Sequence, residues 1–399
     1  MKTLTNLKLC NKNILVRVDL NVPVVNGLIT EKSRIEAIKS TIKKLIYYKN
    51  KIFLISHYGR PKGKQNKEYS LNFILKTLKE EFQIDKINFL KNFNETEIKK
   101  MISSMEEGQL CLFENIRFWP GEENNDLSFA KEISKNFDAY INDAFSASHR
   151  NHASIVGIPN FLPSLAGDNM IDEITNIDTF VNNPKRPNLA IIGGAKISTK
   201  INLLYNLIDN FDTIAIGGAM ANTFLHANNI DVGNSLCEKD LSEVALSIVE
   251  KAKKNNCKII IPVDVVCADH LTDQVNITHC DIKNIPNNQK VLDIGNKTTQ
   301  IILNNILQSK MVLWNGPLGT FEYKPFEKSS INIANVIKKN TNKLKISTIA
   351  GGGDTISVIK MAKAEGGFSY ISKAGGAFLE WLEGNESPGV IALKENTII

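Results

Sequence analysis

The sequence lacks the features that mark several large classes of protein. Its six cysteines, Cys10, Cys111, Cys237, Cys257, Cys267 and Cys280, make no CxxC pair and no metal-ligand spacing, which fits free thiols in a reducing compartment. No apolar run approaches the roughly 20 residues that cross a bilayer as a helix. Near the amino terminus Asn6, Lys8, Asn11 and Lys12 interrupt any signal-like stretch. These absences predict a cytoplasmic protein with no membrane partner. Three familiar signatures are missing too: the GxxxxGK(S/T) phosphate loop, the GxGxxG dinucleotide fingerprint and the GxSxG nucleophile elbow. The net charge of +6 comes from scattered lysines on faces such as Lys43-Lys44 and Lys251-Lys253-Lys254 rather than from a basic arm. Nucleic acid is therefore not indicated, while a small anionic ligand stays open.

What is present is an ordinary globular mix, 43% hydrophobic and 23% charged over 399 residues, enough for two lobes with a core each. Short β-branched runs alternate with longer helical patterns, the mark of βαβ units around parallel sheets. Strands are predicted at 14–18, 52–56, 110–113 and 139–141, and in the second half at 189–192, 213–216, 258–261, 311–314 and 346–350. The fold class is α/β, as two doubly wound, Rossmann-like lobes. Ser33 followed by Glu36 reads as a capping box, with Ile35, Ile38, Ile42, Leu45 and Ile46 at helical spacing behind it, so Arg34 falls in the first helical turn. A linking helix over 166–182 ends before the breaker Asn183-Pro184-Lys185-Arg186-Pro187, which separates a first domain, 1–165, from a second, 183–383.

Open α/β sheets bind ligands beyond the carboxyl ends of their strands, where helix amino termini converge. In the first half those positions hold Asp19 and Asn21, then His57 and Arg60, then Glu114, Asn115 and Arg117, then Asp143 with His149 and Arg150. Several arginines facing one site suit a carboxylate plus a phosphate, because each guanidinium fork makes paired, charge-assisted bonds. In the second half the same positions hold Gly193-Gly194-Ala195-Lys196, Gly217-Gly218, Pro262-Val263-Asp264, Asn315-Gly316-Pro317 and Gly351-Gly352-Gly353-Asp354-Thr355. Glycines let backbone amides approach phosphate oxygens, and Asp354 is placed to hold Mg2+. Each feature has a plainer alternative: a tight βα turn for a glycine pair, a cap for Asp19, Asn21 or Asp143, a structural role for His57. His149 and His152 suggest a metal, but no third ligand accompanies them. The residues alone reach a two-lobed α/β enzyme that joins an acidic phosphate ester to a nucleotide.

At these strand ends the chain resembles phosphoglycerate kinases over essentially its whole length. The motifs, in the family's order, are VRVDLNVP (16–23), SHYGRPKG (56–63), ENIRFWPGEE (114–123), INDAF (141–145), HRNHAS (149–154), GGAKISTKI (193–201), WNGPLGTFE (314–322) and GGGDT (351–355). The resemblance implies reversible phosphoryl transfer between 1,3-bisphosphoglycerate and Mg-ADP, giving 3-phosphoglycerate and ATP, in glycolysis. It implies a 3-phosphoglycerate site of Asp19, Asn21, Arg34, His57, Arg60, Arg117 and Arg150. It implies a nucleotide site of Lys196, Lys200, Gly217, Gly218, Asn315, Pro317, Glu322 at the ribose, Gly351, Gly352, Gly353, Asp354 and Thr355. Arg34, Lys200, Gly352 and Gly353 are the expected catalytic group and Asp354 the metal-side carboxylate. A monomer with a cleft between its lobes, a hinge, and a carboxyl-terminal segment, 384–399, that rejoins the first domain are further implications.

One departure stands in ISKAGGAFLEWLEG (371–384), where Lys373 replaces the family's usual Thr and Ala374 a frequent Gly. Either this is a tolerated surface change or it alters the balance between open and closed forms. Two other function classes compete. A non-catalytic relative would have lost a motif cation or Asp354, yet all are present. A different small-molecule kinase on the same plan would accept glycerate without its phosphate.

Overall fold

The structure, a computed structural model, describes residues 1–4, 9–182, 184–273 and 275–398. Asn6, Lys8 and Asn183 lie outside them. The chain divides into two compact units, Met1–Thr175 with Glu386–Ile399, and Asn176–Asn385.

In the first unit the strands are β1 (Asn13–Arg17), a short hairpin of β2 (Val24–Val25) and β3 (Leu28–Ile29), then β4 (Lys51–Ile55), β5 (Ile87–Leu90), β6 (Leu110–Phe113), β7 (Ala139–Asn142) and β8 (Ser164–Ala166). Six of them form an all-parallel sheet in the order β5-β6-β4-β1-β7-β8, with Ile14 beside Ile52 on one side and Ala139 on the other. Helices cover both faces, so the inner strands are buried almost throughout and read as largely apolar runs. Ile14, Val16, Ile52, Leu54, Leu112 and Ile141 are fully buried in its core, each worth about 1.5 to 3 kcal/mol of burial.

The second unit repeats the plan with β9 (Asn188–Ile192), β10 (Thr213–Ile216) and β11 (Lys258–Ile260). An antiparallel insert follows, β12 (Asp264–Ala268), β13 (Thr278–Asp281) and β14 (Lys290–Ile294), and then β15 (Met311–Asn315), β16 (Ser347–Gly351) and β17 (Tyr370–Ser372). The parallel sheet runs β11-β10-β9-β15-β16-β17 and the insert β13-β12-β14. In each unit the chain lays strands outward on one side of its first strand and later returns to the other side. The reversal falls between β1 and β7 in one unit and between β9 and β15 in the other. At such a reversal neighbouring loops leave in opposite directions and open a crevice.

Several local expectations are corrected. Ser33 does not cap its helix: its hydroxyl donates to Glu31, two residues earlier, at 2.6 Å, and the helix Ser33–Ala37 begins without a side-chain cap. The apolar row behind it runs over two helices, Ser33–Ala37 and Lys39–Tyr47, that meet at Ile38. Residues 164–166 form the edge strand β8, so the helix after it starts only at Asp168 and runs to Val181. Strands β2, β3, β5, β8 and β17 and the whole antiparallel insert are additional to the nine predicted strands.

Candidate active site

The first crevice is built from side chains. β1 ends at Arg17, a cation in an otherwise apolar strand. Arg17 is buried; its Nε donates to Ser154 Oγ at 2.8 Å and an Nη lies 3.1 Å from His57 Nδ1. Beyond the strand, Asp19 accepts from Arg34 Nη1 at 2.7 Å, from the Asn21 amide at 2.9 Å, and from the hydroxyl of Ser146, which follows β7. Arg34 Nη1 also donates to Asn21 O at 3.1 Å, and Asn21 Oδ1 accepts from the Gly59 amide at 3.0 Å. Gly59 O in turn accepts from Arg117 Nη1 at 2.7 Å. Asp19, Asn21, Arg34 and Arg117 are thus joined in one hydrogen-bonded chain across the strand ends.

The electrostatics there are one-sided. Burial pushes Arg117 down to about 10, with Arg150 and Arg17 adding to the effect. Arg150 is lowered by burial and then by Arg60, which is itself exposed, and by Arg17. Burial holds His57 well below the ordinary imidazole value, opposed by Asp19 and reinforced by Arg17, Arg117 and Arg150. Burial would raise Asp19, but Arg34, His57 and its hydrogen bonds outweigh it and keep the carboxylate ionised. Arg117 Nη2 and Arg150 Nε are buried with no protein acceptor, and Arg117 Nε sits 3.3 Å from Glu123 Oε1 without hydrogen-bond alignment. Buried guanidinium donors crowded together without acceptors are costly unless an anion completes them.

Other residues at these strand ends brace the cluster. Glu114 accepts from Ser70 Oγ and the amides of Leu71 and Asn115; Asn115 accepts from the Arg117 amide and donates to Tyr58 O and Tyr69 O. Asp143 accepts from the Met170 amide at 3.1 Å, at the start of the helix Asp168–Val181, and burial pushes it up to about 7. Glu122, fully buried, accepts from Ser154 N and Oγ and lies 3.6 Å from His152. Sequence reasoning passed over Arg17, Glu122 and Ser146. For Arg17 a signal existed, since a charge inside a buried strand is rare unless it has partners.

The second crevice is built from backbone. Gly193, after β9, lies so close to the loop after β15 that a Cβ there would stand 1.9 Å from Pro317 O, and its amide donates to Asn315 O at 2.9 Å. Gly217 packs on Leu318, and Gly218 adopts φ +68 against Gly194. Gly352, at φ +95, opens the helix Gly353–Met361. Buried Asn315 ties the parts together: its Oδ1 accepts from Lys200 Nζ and its Nδ2 donates to Gly351 O at 2.8 Å. Thr355, also buried, accepts from the Gly316 amide at 2.7 Å and so locks the same loops. Burial pushes Lys200 down to about 8, with Glu383 and Asp354 opposing. Lys196 is exposed; its carbonyl accepts from Thr199 Oγ1 at 2.9 Å. A cavity of about 320 Å³ follows this edge, lined by Gly194, Gly218, Pro317, Glu322 and Asp354 among others, and continues toward the antiparallel insert. Asp264, at the end of that region, caps the helix Asn296–Gln308 through Lys297 N and Thr298 N. Among the described residues no group of three or more His, Cys, Asp or Glu side chains could hold a metal, and no helix is long and apolar enough to cross a membrane.

The family model for phosphoglycerate kinase matches residues 4–385. The chain belongs to the phosphoglycerate kinase family. It is accordingly a kinase of glycolysis. Among curated members, the phosphoglycerate kinase of Brucella abortus is 42% identical over 394 residues, 99% of each chain, and that of Sinorhizobium fredii 44% identical over 390 residues, 98% of each. Among solved members, phosphoglycerate kinase from Coxiella burnetii superposes with a TM-score of 0.90 at 36% identity, covering 98% of both chains. The two parallel six-stranded sheets of this chain are the family fold.

Proposed function

We propose that this family member transfers a phosphoryl group between the acyl phosphate of 1,3-bisphosphoglycerate and ADP, directly and in line, with the acid bound by the first unit and the nucleotide by the second. The carrying observation is the set of buried guanidinium donors on Arg117 and Arg150 that no protein group satisfies. A phosphoglycerate brings a carboxylate and a phosphate, two anions for which fork-shaped donors are suited. Asp19 and Asn21 hold Arg34 in its place, and His57, kept neutral by burial, offers a polar edge without adding charge. Arg60, exposed beside Arg150, extends the field outward.

In the second unit Gly217, Gly218 and Pro317 let a nucleotide lie close to backbone, Glu322 stands at the ribose, and the amides of Gly352 and Gly353 open a helix toward the phosphates. Lys196, Lys200, Asn315, Gly351 and Thr355 fix or contact the phosphate end. Asp354, an exposed carboxylate on the cavity wall, suits Mg2+, which commonly takes one or two carboxylates plus substrate phosphates. That ion would neutralise charge on the phosphates; no other protein ligand is required of this site. In the ATP-consuming direction the bond from the γ-phosphorus to the bridging oxygen breaks and a bond to the 3-phosphoglycerate carboxylate forms, so ADP leaves as the anion. The transition state spreads charge over three equatorial oxygens, and Arg34, Lys200 and the glycine amides are the donors assigned to it. Transfer requires the two sites to approach with water excluded, and a hinge near 371–384 is assigned that movement. The protein acts as a cytoplasmic monomer.

A coupled assay of 3-phosphoglycerate-dependent ATP consumption tests the reading. Turnover is expected with 3-phosphoglycerate and at most a trace with glycerate, which lacks the second anion. Equal use of both acids would overturn the assignment of the arginine cluster.

A further inference from the structure

The cavity assigned above to the nucleotide has Ala221, Leu236, Pro262, Val265 and Leu271 among the residues of its wall, and Asn222 beside them. Asn222 lies in the first turn of the helix Met220–Ala227 and is fully buried. Its Nδ2 donates to Leu236 O at 3.1 Å. That bond fixes the amide, because turning it over would set Oδ1 against the Leu236 carbonyl, acceptor against acceptor. The atom left over is Oδ1, and it is buried with no hydrogen-bond partner. Asp293, on the same wall, is different: its carboxylate is engaged by the Ser329 hydroxyl and by the amides of Ser329 and Ile294. Among the described residues lining this cavity, Asn222 Oδ1 is thus the buried side-chain acceptor still without a donor.

An apolar slot with one unfilled acceptor asks for a flat, apolar ring that carries a donor on its edge. Adenine presents an amino group at its 6-position; guanine and hypoxanthine present a carbonyl there, a second acceptor. We infer that Asn222 is a specificity-determining residue that accepts a hydrogen bond from the 6-amino group of adenine and selects against 6-oxo purines. The inference rests on the nucleotide reading of this cavity. Leu236 is the element that adjusts as the ring enters, since its side chain is half exposed while its carbonyl stays tied to Asn222. A buried acceptor left facing another acceptor loses affinity where one that gains a donor recovers it, which sets a discrimination of about 10- to 100-fold.

The test compares adenine with hypoxanthine nucleotides, whose hydrogen-bonding edges are inverted at the 6-position, amino donor against carbonyl acceptor, and at the adjoining N1, acceptor against N–H donor. Dissociation constants for ADP and IDP come from calorimetry, and kcat/KM for ATP and ITP from the coupled assay, on the unsubstituted chain, Asn222→Leu and Asn222→Asp. The unsubstituted chain is expected to prefer adenine by about 10-fold or more. Asn222→Leu removes the acceptor, and the ratio should fall to within about threefold of one, through KM rather than kcat. Asn222→Asp keeps an acceptor oxygen but loses the donor to Leu236 O, so it should weaken the binding of both nucleotides while keeping the preference, a split that a purely structural loss would not show. An unsubstituted chain that binds ADP and IDP equally overturns the inference even if no variant folds, as does an unchanged ratio in Asn222→Leu. A chain that prefers ADP but never consumes ATP with 3-phosphoglycerate keeps this inference and removes the proposed reaction.

Discussion

The two crevices lie at the same place in two copies of one architecture, yet they are made of opposite materials. At the β1/β7 reversal the working groups are side chains, with Arg17, Arg34, Arg117 and Arg150 crowded around Asp19 and His57. At the β9/β15 reversal they are mostly main chain, with Gly193, Gly218, Gly316 and Gly352 allowing loops to touch. The comparison shows how a doubly wound sheet supplies a position and leaves the chemistry to its loops. On the proposed reading a cation cluster recognises a particular pair of anions, while a bed of glycines admits a polyphosphate by close approach.

If that division is right, the two sites should fail in different ways. The largest effect is expected from Gly193→Ala, because its Cβ would meet the Pro317 carbonyl at 1.9 Å, backbone against backbone. Forcing the loops apart should cost about 3 kcal/mol or more and abolish measurable nucleotide binding. Denaturant unfolding and nucleotide titration would show it, and a normal nucleotide affinity would break the contrast. Arg117→Lys should raise KM for 3-phosphoglycerate by about 10- to 100-fold, since Lys cannot serve Gly59 O and an anion with one planar fork. Nucleotide affinity in that variant should not move, and calorimetry with ADP checks it.

Each unit also buries one carboxyl that titrates near neutrality, Asp143 in the first and Asp293 in the second, both pushed up to about 7 by burial from 3.8. Between about pH 4 and pH 7 the native state keeps a proton that the unfolded chain has released, so stability from each group is complete below its unfolded pKa and is lost as pH rises to about 7. The slope is at most about 1.4 kcal/mol per pH unit for each group. Burial would raise Asp19 and Glu122 too, but ion pairs and hydrogen bonds hold both low, so their contribution has the opposite sign, lost as pH falls. Asp143→Asn and Asp293→Asn should each flatten the decline between pH 5 and pH 7, measured by urea unfolding; an unchanged slope would contradict the burial argument. The smallest effect is expected at exposed Lys373, where Lys373→Thr should shift kcat by no more than about threefold. Identical kinetics and scattering profiles for the two forms would remove any part for Lys373 in the hinge.

The inner strands were readable in the sequence because a parallel sheet covered on both faces needs continuous apolar runs, as at 110–113 and 213–216. Of the edge strands only β11 was read: β5 is half buried at Asn88 and Phe89, β8 has three residues, and both blend into neighbouring helical patterns. Within the antiparallel insert β13 escaped because its run Thr-His-Cys-Asp alternates half-buried with exposed residues and has no apolar signature, whereas β12, buried from Val265 to Ala268, carried an apolar run that sequence reasoning passed over. The capping box at Ser33 failed for a local reason, since Glu31 competes for the hydroxyl at close range. In the site, the arginines and glycines were legible, and Asn115 and Thr355 were placed at the strand ends, while Glu122 and the partners of all three were not. Asn115, Glu122 and Thr355 do their work through bonds to backbone and hydroxyl groups distant in sequence, and sequence spacing carries no trace of such partners.

The proposed division of labour is tested most directly by Arg34→Ala, with turnover and nucleotide affinity measured on the same preparation. Arg34 belongs to the side-chain site, where it donates to Asp19 Oδ2 and Asn21 O. The account predicts that kcat falls by about 10³-fold or more while the dissociation constant for ADP stays within about twofold. Near-normal turnover in that variant would contradict it.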